Sequence, residues 1–242
     1  MARSKRILLR SIYTLLLFIP VAAVAHYFMF PQQTCCILVD CSDFDHNGRL
    51  YYNPATAQHT TDSLQQLIDA ASLRVADLFG EKTDDPKIIY CDTDEDFKRF
   101  GSPDPVPAVT MAKLGAYVVL SRDAADVDII AHELVHAGLY ARTGFYNWSF
   151  NIPMWFKQGL AMQCDLRDYY SEDTLKVRSN NYTSMPDIKS YSDAQFYEGS
   201  TEQVMLNYMV AKHEIKKWYS KEKLDTFVKD MNEGKSFEQA FK

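Results

Sequence analysis

Two histidines four residues apart, in the run "DIIAHELVHAGLY", constrain this chain more than any other feature. At that spacing His132 and His136 project from one face of a helix about one turn apart, near enough for both imidazoles to reach one cation. Glu133 stands beside them on the same side. From Ile129 to Tyr140 there is no proline and no charged residue except Glu133, so the segment can bury an apolar wall behind the histidines. The pattern predicts a helix from about Asp123 to Thr143, ended by Gly144.

The flanking segments supply the rest of an α+β outline. Leu64, Leu67, Ile68, Ala71, Val75, Leu78 and Phe79 recur at helical spacing, with Asp62 and Gln65 as a capping box and Gly80 as the stop. "KIIYC" (87–91) and "AYVVLS" (116–121) read as strands, and "GSPDPVPAV" between them reads as a loop because of its prolines. A third helix runs from Pro153 to about Asp165. Residues 166–198 are polar and weakly patterned, which predicts a long loop near the site. The C-terminal part is helical: Val204, Tyr208, Ala211, Ile215 and Trp218 form one stripe, Leu224, Phe227, Val228 and Met231 another, and "SFEQAF" closes with a capping pattern of Ser236 and Gln239.

In order and spacing, "HELVH", "IPMWFKQGLA" and "FYEGSTEQVMLNYM" resemble the MA-like zinc metallopeptidases, gluzincins related in fold to thermolysin, over roughly residues 60–241. The resemblance implies a zincin-like domain, a small β-sheet with an active-site helix followed by a mostly helical half. It also implies Zn2+ as cofactor, a peptide or protein as substrate, and hydrolysis of peptide bonds. Carried over, His132 and His136 are zinc ligands, Glu133 is the general base that activates water, and Trp155, Gly159 and Ala161 hold scaffold positions. Tyr197 matches a residue that supports the helix or steadies an oxyanion, with a packed core tyrosine as the plain alternative.

Gln158 departs from that family, which has glutamate as third ligand. Two neutral histidines and one carboxylate leave zinc at net +1, whereas an amide leaves +2. Affinity falls, and the metal becomes the stronger Lewis acid. The amide must also turn its oxygen inward and find a partner for its nitrogen. Three readings are open: Gln158 ligates through oxygen; a nearby carboxylate (Asp165, Glu172 or Glu198) replaces it; or the site holds no metal, leaving a catalytically inactive zincin-fold module that binds a peptide or partner.

Composition bounds these readings. Hydrophobic residues at 47% and charged residues at 24% are ordinary for a globular domain, and a net charge of -6 without a basic face excludes nucleic acid as a partner. Arg3, Lys5, Arg6 and Arg10 precede a stretch from Ser11 to Phe30 that lacks Asp, Glu, Lys and Arg. This predicts an N-terminal transmembrane helix, a signal anchor over residues 1–30 that joins the protein to the membrane and leaves the domain extracytoplasmic, with a cleaved signal and secretion as the alternative. A linker arm (31–59) and the peptidase domain (60–242) follow. Cys35, Cys36, Cys41, Cys91 and Cys164 leave disulfide pairing open. "DFDHNG" (43–48) opens like a calcium loop but has Pro54 where a bidentate glutamate belongs, and Asn147 and Asn181 match glycosylation acceptors.

Overall fold

The computed structural model describes residues 18–81 and 85–242. Helix α1 covers 18–29 and α2 Pro31–Ile37; the hairpin strands β1 (Asp45–Asn47) and β2 (Leu50–Tyr52) follow. Then come α3 (Gln58–Phe79), β3 (Lys87–Cys91), α4 (Asp94–Phe100), β4 (Ala108–Lys113) and β5 (Gly115–Ser121). The rest is helical: α5 (Val127–Tyr146), α6 (Met154–Ala161), α7 (Glu172–Arg178), α8 (Asp193–Phe196), α9 (Thr201–Trp218), α10 (Lys221–Asn232) and α11 (Phe237–Ala240).

The five strands form one mixed sheet in the order β1-β2-β3-β5-β4, parallel in the middle and antiparallel at both ends. Strand periodicity divides β3 and β5 between two cores. Ile88, Tyr90, Val118 and Leu120 face a main core with Leu64, Ile68, Val75, Ile130 and Leu134 of α3 and α5. Ile89, Cys91 and Val119 face the other way, against Cys36, Val39, Phe44, Tyr51, Phe97 and Phe100. Burial on both faces is why these strands read as unbroken apolar runs. Each fully buried Ile, Val or Leu contributes about 1.5–3 kcal/mol.

The N-terminal transmembrane helix is not upheld. Among the described residues no helix is long and apolar enough to cross a membrane. Residues 1–17, with the basic end and the start of the apolar run, lie outside the described residues. Helix α1 is described from residue 18 to residue 29. Its end is tied to the domain: His26 Nδ1 lies 2.7 Å from Thr34 Oγ1, and the Lys113 ammonium sits 3.7 Å from the centroid of the Phe30 ring.

The linker arm also takes on structure, since residues 31–59 supply α2, two strands and part of the second core. "DFDHNG" forms the β1–β2 hairpin, with Gly48 at φ 59° in its turn. All five cysteines are free. Asn147 is buried and donates to the carbonyls of Thr143 and Met231 at 3.0 and 3.2 Å, which removes it as a glycosylation acceptor. Helix α3 starts at Gln58 without a side-chain cap, whereas Ser236 and Gln239 do form a capping box.

Candidate functional site

Helix α5 presents the histidine pair to a cleft of about 480 Å³ lined by His132, Glu133, His136, Trp148, Lys157, Gln158, Tyr197 and Tyr208, with β4 forming one wall. The Asp126 carboxylate accepts from the backbone N–H of Asp128 at 2.6 Å and starts the helix. Near its end Gly144 takes φ 74°, which glycine alone adopts without strain, and a π turn over Asn147–Asn151 follows. That turn lays the Trp148 ring edge-on to His136, at 5.7 Å between centroids.

Helix α6 carries Gln158 to the same place, and its position follows from packing. Gly159 lies against α9 so closely that a Cβ there would sit 2.5 Å from the Ala211 carbonyl oxygen and 2.6 Å from Ile215. Trp155 and Phe156 anchor the helix in an aromatic cluster with Trp218, Phe227, Phe237 and Phe241, with Phe156 stacked on Phe227 at 4.5 Å. Pro153 is the N-cap, and the Met154 N–H donates to Asp193 Oδ1 at 3.1 Å.

The two elements bring three donor atoms together. His136 Nε2 lies 3.2 Å from His132 Nε2, which lies 3.0 Å from Gln158 Oε1. Donors around a tetrahedral zinc with bonds near 2.1 Å are about 3.4 Å apart, so these two spacings lie within about 0.4 Å of what an ion between them requires. Both His136 and Gln158 are buried, at 6% and 7% exposure. Burial, the neighbouring His132 charge and Lys157 hold His136 well below its ordinary pKa and so neutral, the form in which imidazole ligates metals. Its Nδ1 is buried without a hydrogen-bond partner, so what Nε2 meets decides the tautomer. Among the described residues no group of three His, Cys, Asp or Glu is arranged to hold a metal ion; the third donor here is an amide.

Glu133 lines the same cleft. Burial raises its pKa against the opposing His132 charge and the hydrogen bond from Thr110 Oγ1 to its carboxylate, 2.6 Å long. Thr110 belongs to β4, so the outer strand of the sheet grips the candidate base. Tyr197 is 43% exposed overall, but its hydroxyl is turned inward. It accepts from Gln158 Nε2 at 2.7 Å and donates to Met154 Sδ at 3.1 Å, and burial pushes its pKa up to about 12.

None of the three substitute carboxylates reaches the histidines. Asp165 accepts from Arg167 Nε at 2.9 Å and Nη2 at 2.5 Å; Glu172 pairs with His213 Nδ1 at 2.6 Å; Glu198 is exposed and away from the cleft lining.

Several neighbours carried no sequence signal. Lys157 is buried; its ammonium donates to the Trp148 carbonyl at 3.1 Å and lies 3.7 Å from Asp193. Asn207, fully buried, donates to the Phe196 carbonyl at 2.8 Å and so fixes the chain beside Tyr197. A lysine or asparagine in a helix looks like surface until the fold is known. No protein-family model, curated protein or solved structure matches the chain.

Proposed function

We propose that the protein is a zinc-dependent metallopeptidase in which His132, His136 and Gln158 hold the metal and Glu133 is the general base. The observation that carries this reading is the convergence of two imidazole nitrogens and an amide oxygen, at 3.2 and 3.0 Å, in one cleft with a desolvated carboxylate. A zinc ion held there supplies Lewis acidity, polarising a carbonyl and lowering the pKa of water toward about 7. Glu133 takes a proton from the attacking water and returns it to the leaving amine. Its place in the cleft, held by the Thr110 hydroxyl, suits both halves of that task.

An extended peptide is the substrate best matched to the cleft wall. Residues Ala108–Lys113 line the cleft along β4, the outer strand, which pairs only with β5 among the described strands, an edge of the kind that extended peptides join; the Thr110 backbone N–H there is already taken by the Glu133 carboxylate. The neutral third donor favours a second reading, a peptide-binding module without metal. Zinc content and peptide cleavage separate the two. The enzyme reading requires near-stoichiometric zinc in zinc-supplemented protein and loss of cleavage in Glu133→Gln; equal cleavage in that variant would sink it.

A further inference from the structure

We propose that Tyr197 and Met154 are positioning residues that orient the Gln158 amide, keeping its oxygen toward the metal and its nitrogen away. The inference rests on the metal reading above and concerns what lets a glutamine stand in a ligand position at all. An amide has two unlike ends, and only the oxygen end can face a cation. A carboxylate has two like ends and needs no such orientation.

The hydrogen bonds around Gln158 run in one direction. The Met154 thioether has no hydrogen and can only accept. It takes the single O–H of Tyr197 at 3.1 Å and faces Gln158 Nε2 at 3.7 Å. With its hydrogen on sulfur, the Tyr197 oxygen is an acceptor and receives Gln158 Nε2–H at 2.7 Å, with the Tyr208 hydroxyl as a second donor to the same oxygen. The NH2 end therefore has two acceptors, and the carbonyl end points at His132 Nε2 at 3.0 Å. A flipped amide would set its oxygen against the sulfur lone pairs and its NH2 where the cation is held.

The clamp is itself held. Tyr197 follows α8, whose Phe196 carbonyl is fixed by buried Asn207, and Asp193 of α8 accepts from the Met154 N–H at the start of α6. The segment bearing Tyr197 is thus tied once to α9 and once to the helix that bears Gln158.

The test is a double-mutant cycle on the full chain, read as Zn2+ affinity by competition with a chromophoric chelator and as the visible spectrum of Co2+ in the same site. Tyr197→Phe should weaken Zn2+ binding about tenfold where residue 158 is glutamine, the scale on which residues behind metal ligands act. In a Gln158→Glu background the same substitution should change affinity less than about threefold, because a carboxylate presents an oxygen either way. Met154→Leu, which removes the sulfur acceptor and conserves volume, should reproduce a smaller loss in the glutamine background alone. It keeps the proposal testable if Tyr197→Phe fails to fold. Equal losses in both backgrounds, or none in either, would overturn the orienting role. Absence of Zn2+ and Co2+ binding in every protein, Gln158→Glu included, would overturn the metal reading itself.

Discussion

Glu133 and Asp165 line one hollow of about 330 Å³ together with His132, yet their surroundings push them in opposite directions. On the Glu133 side, burial outweighs the His132 charge and the hydrogen bonds from the Thr110 hydroxyl and backbone N–H, and the carboxyl is held above its ordinary pKa. On the Asp165 side, burial is more than reversed by the forked hydrogen bonds and charge of Arg167, and the carboxyl is held below it. A base needs a proton affinity that can change during a reaction; a structural carboxylate needs one that cannot. Two carboxylates driven apart by their environments are the pattern that separates chemistry from scaffolding. The same contrast keeps Asp165 away from the histidines: releasing it would leave Arg167 without its carboxylate.

The largest expected difference between the two is in turnover. Glu133→Gln should cut peptide cleavage by about 10²–10⁴-fold while zinc content and melting temperature hold, measured as kcat/KM beside a thermal melt. A substantial loss of stability in that variant would break the contrast. Asp165→Ala should do the reverse, costing about 1–3 kcal/mol in chemical denaturation because it leaves the half-buried Arg167 guanidinium without its carboxylate.

A smaller effect sharpens the Glu133 side. Thr110→Val removes a hydrogen bond to a charged group, and the acid limb of the pH–rate profile should move upward, since the ionised form loses a bond worth about 1.5–3 kcal/mol. An unmoved limb would mean that the threonine serves only the strand.

The smallest effects are in stability against pH, and their signs differ. Asp165, with its pKa lowered by folding, contributes stability above the ordinary carboxylate value of about 3.9 and loses it as pH falls through the lower folded value. Glu133, with its pKa raised by folding, contributes below the ordinary value of about 4.3 and loses it as pH rises through the higher folded value. Asp165→Asn should therefore flatten the loss of stability on the acid side, and Glu133→Gln the loss that sets in as pH rises above about 4.3, both read from melting temperature between pH 3 and 7.

Local patterns carried much of the fold. The α3 stripe, "KIIYC", "AYVVLS" and the α9 stripe are all legible because each element's period is set by the face it buries. Strand β4 was hidden, since Pro103, Pro105 and Pro107 end one residue before it begins and it occupies the sheet edge, where a proline flank costs least. In 166–198 the elements are too short for a period. Asn180, Asn181 and Tyr182 at φ 49°, 53° and 66° form a left-handed turn held by contacts from elsewhere, such as the stacking of Tyr182 on His213. The N-terminal apolar run had the composition of a membrane span, but hydropathy cannot tell that a helix ends at residue 29 and that the next segments turn back onto the sheet.

By itself the sequence determined that two histidines share one helical face, because a spacing of four residues does so in any helix, and that Glu133 neighbours His136 at a spacing of three. It also determined that a glutamine stands where a carboxylate ligand is expected. Only the tertiary structure decided which way that glutamine points, since the choice depends on a tyrosine 39 residues away and on a sulfur one turn back. It likewise decided that Asp165 belongs to Arg167 and Glu133 to the cleft. Charge, burial and hydrogen bonding at a point in space are sums over segments distant in the chain, and no local pattern contains them.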